Sequence, residues 1–189
     1  MMTGKGERRS PPSAEIERRG AAVELRPAGR RLEGYAAVFD SETRIADFTE
    51  VIRPGAFRGS LSGSRDVLAL MDHDPSKVLA RTRSGTLRLS EDPRGLHFEL
   101  SLPDTQAGRD ALTLAERGDL GGMSFGFLPA AGGENWDGRR RELRAVDLFE
   151  VSVVSAWPAY DGTVVQARSR FIVATPRLDA ARRFLEACR

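Results

Sequence analysis

The sequence is poor in the residues from which disulfides, metal centres and membrane spans are built. Of 189 residues one is cysteine, Cys188, and two are histidine, His73 and His97. A lone cysteine excludes an intramolecular disulfide and argues against a cysteine nucleophile. A zinc site would have to draw most of its ligands from carboxylates, so neither metal nor cofactor is expected. No apolar run is long enough to span a bilayer, and the first residues hold no apolar segment resembling a signal peptide, which implies an intracellular protein with no membrane partner. Lysine is also scarce: Lys5 and Lys77 are the only two among 29 basic residues, the rest being arginine. The 27 acidic residues are mixed among them, leaving a net charge of +2 and no ground for specific nucleic-acid binding.

What is present suits one globular domain with flexible ends. Residues 1–21 combine Gly, Ser, Pro and charge without apolar periodicity and read as a disordered arm. From there the pattern turns to β: strands at 23–25 and 32–39 around a Pro27-Ala28-Gly29 turn, another at 47–52, and a turn at 53–57 leading to a short helix or loop. Residues 67–71 form a continuous apolar run, as in a strand buried on both faces, ending at Asp72-His73-Asp74-Pro75. Residues 78–81, 86–89 and 96–102 alternate and read as a meander, with His97 on its solvent face. Thr105 is placed to cap a helix over 106–117 that Gly118 ends. A glycine-bearing polar loop around 132–138 then separates the strand after that helix from strands at 141–146 and 148–154, and Thr175-Pro176 opens a short amphipathic helix. The fold class expected is mainly β with peripheral helices (α+β).

The chemistry centres on Gly121-Gly122-Met123-Ser124-Phe125-Gly126-Phe127. Two readings fit it: a serine nucleophile whose flanking glycines let backbone approach a substrate, or a glycine-rich buried strand carrying a hydrogen-bonded serine. Gly122-x-Ser124-x-Gly126 matches the nucleophile elbow of α/β-hydrolases in form only, since no helix follows and both histidines precede the serine. His73, at the end of the buried run between Asp72 and Asp74, is the better base, with His97 in reserve. Its bland alternative is a turn residue held by its aspartates. Glu150 is the candidate to orient the base, because an acid inside Leu148-Phe149-Glu150-Val151-Ser152-Val153-Val154 needs a partner if buried. Alternation equally permits Glu150 to face solvent, and Asp72, Asp74 and Asp147 compete for the same role.

Gly34-Tyr35-Ala36-Ala37-Val38-Phe39, Ile52-Arg53-Pro54-Gly55-Ala56-Phe57, Leu70-Met71-Asp72-His73-Asp74, Leu102-Pro103-Asp104-Thr105, the Ser124 block and the Glu150 block occur together in this order. The ensemble resembles the prohead (capsid-maturation) serine proteases of tailed phages, relatives of the herpesvirus assembly proteases. The resemblance covers residues 22–168 as a protease domain and leaves 169–189 as a tail. It implies a closed β-barrel and a serine endopeptidase that acts in the host cytoplasm, inside the assembling procapsid, on the scaffolding segment of the major capsid protein and then on itself. By position, Ser124 matches the nucleophile, His73 its histidine and Glu150 the third member. Backbone N–H groups of Ala159 and Tyr160 are implied as oxyanion donors, Pro158 having none. The relatives function as dimers, which raises a homodimer. The basic stretch 166–170 is a candidate self-cleavage region. A non-catalytic barrel serving capsid or scaffold assembly, and an esterase of small esters, are the competing functions.

Overall fold

Among the residues described by the computed structural model, 16–21, 26–27 and 29–155, the chain forms thirteen strands and two helices. In order they are β1 (Glu17–Ala21), β2 (Arg26–Pro27), β3 (Arg31–Val38), β4 (Thr43–Ile45), β5 (Phe48–Ile52), α1 (Arg58–Ser62), β6 (Leu68–Met71), β7 (Asp74–Arg81), β8 (Leu87–Glu91), β9 (Gly95–Ser101), α2 (Gln106–Arg117), β10 (Gly122–Pro129), β11 (Glu134–Asp137), β12 (Arg140–Leu143) and β13 (Val146–Val154). The architecture is mainly β with few helices.

Local sequence explains most of these elements. Leu96, Phe98 and Leu100 alternate along β9 and are fully withdrawn from water, while His97 and Glu99 point the other way. Helix α2 begins where Thr105 Oγ1 accepts from the Gly108 N–H, and ends at Gly118, whose left-handed φ of 73° lets its own N–H reach back to the Leu114 and Ala115 carbonyls. Ala111 and Ala115 form its buried stripe, and the helix lies against β2, β3 and β7.

The strands make three sheets: β1-β10-β13-β6-β7, β11-β12-β5-β4 and β2-β3-β9-β8. Pairings are antiparallel except β13 with β6 and β12 with β5. Side chains from all three sheets meet in one core, with Phe57, Phe98 and Phe127 its largest fully buried members. Each such ring contributes about 2–3 kcal/mol by leaving water.

Several sequence expectations need correction. Among the described residues the ladders do not close into the single ring that a closed β-barrel requires. Between β12 and β13 the chain turns a corner at Arg144-Ala145, where both N–H groups donate to the Gly133 carbonyl and not to a neighbouring strand. The meander is divided, because β7 hydrogen-bonds to β6 while β8 pairs with β9 and β9 with β3. The polar loop at 132–138 contains β11, which makes a hairpin with β12. Of the arm expected to lack structure, residues 17–21 form β1 on the edge of the five-stranded sheet; their order comes from ion pairs and backbone bonds, which leave no apolar signature. Near the first turn the strand is at 26–27, and the expected strand at 23–25 falls outside the described residues. So does the C-terminal helix.

Candidate active site

Strand β10 is where the serine is fixed. Met123, Phe125 and Phe127 point into the core, Phe125 ringed by Phe57 and Phe127 at centroid distances of 5.4 and 5.2 Å. Alternation therefore turns Ser124 and Gly126 to the opposite face of the sheet. Ser124 is 4% exposed and pairs with Ser152 of β13, while Gly126 pairs with Glu150. Ser124, Gly126, Ser152 and Glu150 thus share one face. The ladder then slips by one residue, so that Phe127 pairs with Leu148 and Phe149 is the extra residue of a bulge. The bulge returns Leu148 to the core although it is two residues from Glu150, which regular alternation would not do.

His73 reaches this face from the turn between β6 and β7. Asp72 and His73 are both left-handed, with φ of 50° and 59°, a conformation in which Asp and His are enriched among non-glycine residues. The turn is tied down at its start: the Asp72 N–H donates to the Val153 carbonyl at 2.9 Å, and the Asp72 carboxylate accepts from the Ser155 N–H and hydroxyl at 2.8 Å. These bonds offset the strain of about 1–2 kcal/mol per left-handed residue. So held, His73 places Nδ1 2.7 Å from Glu150 Oε1.

Glu150 is 8% exposed, which decides between the two sequence readings in favour of a buried, partnered acid. Burial alone would raise its carboxyl, but hydrogen bonds from His73 and Arg18 and their charge more than offset this, holding it below the ordinary value of 4.5. An ionised carboxylate only accepts hydrogen bonds, so in the neutral imidazole the tautomer that suits this contact carries its proton on Nδ1 and its lone pair on Nε2. Gly126 makes room for this carboxylate. A Cβ there would lie 2.7 Å from Glu150 Cγ and 2.9 Å from Oε1. The glycine next to the serine therefore serves the acid, where the sequence suggested approach of a substrate.

Sequence reasoning missed Arg18. Its Nε donates to Glu150 Oε1 at 2.9 Å, the same oxygen that His73 contacts. Strand β1 holds Arg18 there through antiparallel pairing with β10, in which Gly20 faces Ser124 and Arg18 faces Gly126. Its alternate residues anchor it on the other side: Arg19 pairs with buried Glu50 at 2.7 Å, and Glu17 pairs with buried Arg141 at 2.6 Å. Arg19 also lies over the Phe127 ring at 5.4 Å. In sequence, Glu17-Arg18-Arg19 is indistinguishable from a solvated charge run, and no local signal could have marked it.

The remaining candidates are engaged elsewhere. Asp74 caps its own turn through Ser76 and Lys77, Asp147 lies 3.7 Å from Arg65, and His97 packs edge-on against Tyr35 in another sheet. Ala159 and Tyr160 lie outside the described residues. Among those described, no hydrogen bond joins Ser124 Oγ to His73 or Glu150, and the wholly buried Ser152 Oγ opposite Ser124 has no partner. The structure thus brings His73 and Glu150 into contact and sets Ser124 on their face of the sheet, one strand away from Glu150.

Comparisons with known proteins bear on the family and the fold. Residues 19–177 match the family model described as caudovirus prohead serine protease. Among solved structures, the capsid assembly protease gp21 of bacteriophage T4 is similar in fold, with a TM-score of 0.50 at 9% identity, covering 76% of this chain and 97% of that one. No curated protein sequence matches significantly.

Proposed function

The chain belongs to the caudovirus prohead serine protease family, and from that premise we propose that Ser124 is its nucleophile, His73 its general base and Glu150 the acid that orients the base. It is a serine protease of capsid maturation. The observation that carries the site assignment is the 2.7 Å contact between His73 Nδ1 and Glu150 Oε1 on the sheet face that bears Ser124. Ser124 Oγ attacks the scissile carbonyl as His73 Nε2 takes its proton. The imidazolium then protonates the leaving amine, and a water attacks the acyl-enzyme with His73 as base again. Glu150 keeps the imidazole in the tautomer this requires and stabilises the imidazolium. The negative oxygen of the tetrahedral intermediate needs donors worth a few kcal/mol, for which the N–H groups of Ala159 and Tyr160 are the candidates.

The substrate in this reading is the scaffolding segment of the major capsid protein, cut inside the procapsid in the host cytoplasm, followed by the protease itself within 166–170. A homodimer is the working assembly.

Ser124→Ala tests the assignment in cells producing particles. Full-length capsid protein is expected to accumulate, and labelling by a fluorophosphonate to vanish while the chain stays folded. Wild-type processing by the alanine variant would remove Ser124 from the mechanism. Peptide mapping of the capsid protein distinguishes an endopeptidase from an esterase of small esters.

A further inference from the structure

We propose that Arg18 is a positioning residue of the catalytic site, acting through Glu150, so that the N-terminal strand β1 is part of the catalytic apparatus. The inference rests on the assignment of His73 and Glu150 above, yet it concerns a residue just before the region that matches the family model, which begins at residue 19.

Glu150 Oε1 receives Arg18 Nε at 2.9 Å and His73 Nδ1 at 2.7 Å. A carboxylate held by His73 alone can rotate about its last torsion; a second donor on the same oxygen from the opposite direction restricts that rotation. Arg18 also places a positive charge beside a pair that must bind a proton during catalysis. The charge favours the ionised carboxylate and opposes retention of the proton by the His73–Glu150 pair. The other charged groups nearby are Asp72 and Asp74 in the turn that carries His73, with Asp74 neutralised by Lys77. Along β10 and β13 this face bears the uncharged Ser124, Gly126, Leu128 and Ser152, and Asp147, which Arg65 faces at 3.7 Å; Leu68 and Leu70, paired with Glu150 and Ser152 on β6, are apolar. Beside His73, whose charge comes and goes, Arg18 is thus the one permanent cation bonded to Glu150 among the described residues.

Its position is built. β1 is fastened from behind by Arg19 to Glu50 and by Glu17 to Arg141, which leaves Arg18 as the residue of the charge run turned toward the site. Its side chain remains 38% exposed, so its charge is partly screened and its effect is moderate.

The test is the second-order rate of Ser124 labelling by a fluorophosphonate, measured against pH on the full chain. Arg18→Met should lower the rate at neutral pH by roughly fivefold and move the acid limb of the profile up by about half to one pH unit. Arg18→Lys restores the charge and should return the limb to the wild-type position. Arg18→Gln, neutral and polar though shorter by the end of the guanidinium, takes the place of Arg18→Met should the latter not fold. Equal profiles for the neutral and lysine variants, or a neutral variant indistinguishable from wild type, would overturn the role of Arg18. A wild-type chain that does not label at Ser124 would overturn the site assignment itself, and this inference with it.

Discussion

A methyl group at position 126 has nowhere to go except into Glu150. Gly126→Ala should therefore move the carboxylate away from His73, at a cost of about 1–3 kcal/mol in stability from overpacking and a loss of roughly a hundredfold in fluorophosphonate labelling. Thermal melts and labelling rates measured together check this; labelling at the wild-type rate would mean that the carboxylate has another place to sit. Ser152 poses the opposite case. Its hydroxyl is buried without a partner among the described residues, so Ser152→Ala should raise stability by about 1 kcal/mol, and a clear fall in the melting temperature would reveal a partner for it. At this scale the proposed site residues Ser124, His73 and Glu150 stand out in the sequence because each breaks a pattern: a polar residue in an apolar strand, or a histidine where a buried run stops. Arg18 and the role of Gly126 were not. Each acquires its meaning from a residue far along the chain, and neither disturbs its local pattern.

Among the elements, β1 and β12 depend on charge where most strands depend on apolar burial. Glu50 lies between Arg19 and Arg141, both of which lose their buried counter-charge in Glu50→Gln. The variant should lose about 2–3 kcal/mol in urea unfolding and loosen β1, seen as faster amide exchange at residues 17–21. A loss within about 0.5 kcal/mol would mean that surrounding water or Glu17 takes over the arginines. On β12, Glu142 accepts hydrogen bonds from Arg53, Arg144 and Arg140, which hold its carboxyl down from 4.5 to about 2. Asp66 is likewise held at about 2 by Arg81 and Arg83. Both values are depressed by folding, so their contribution is complete above the unfolded values and is lost as pH falls from there toward 2. Urea midpoints between pH 5 and 2 should fall less steeply for Glu142→Gln than for wild type; parallel curves would show that Glu142 carries no such linkage. Elements with caps or alternation, α2 and β9, were readable in the sequence. Strand partners were not: that β7 leaves the meander for β6 is a property of the sheet, and both arrangements satisfy the same alternation.

For the molecule as a whole, the sequence conveyed a mainly β chain around one core but not how the sheets divide. Closure depends on where backbone donors go at corners such as Arg144-Ala145, and side-chain patterns do not record that. The order β1-β10-β13-β6-β7 has one more consequence, which concerns time. Its middle strand, β13, comes last of the described strands, and β6 and β10 meet only through it. A ribosome-bound chain that has emerged as far as β10 already carries His73 and Ser124 but nothing to bring them together, since parallel pairing of β6 requires a partner about 80 residues downstream. The five-stranded sheet therefore has no centre until the chain as far as Val154 has emerged and β13 can take its place between β6 and β10.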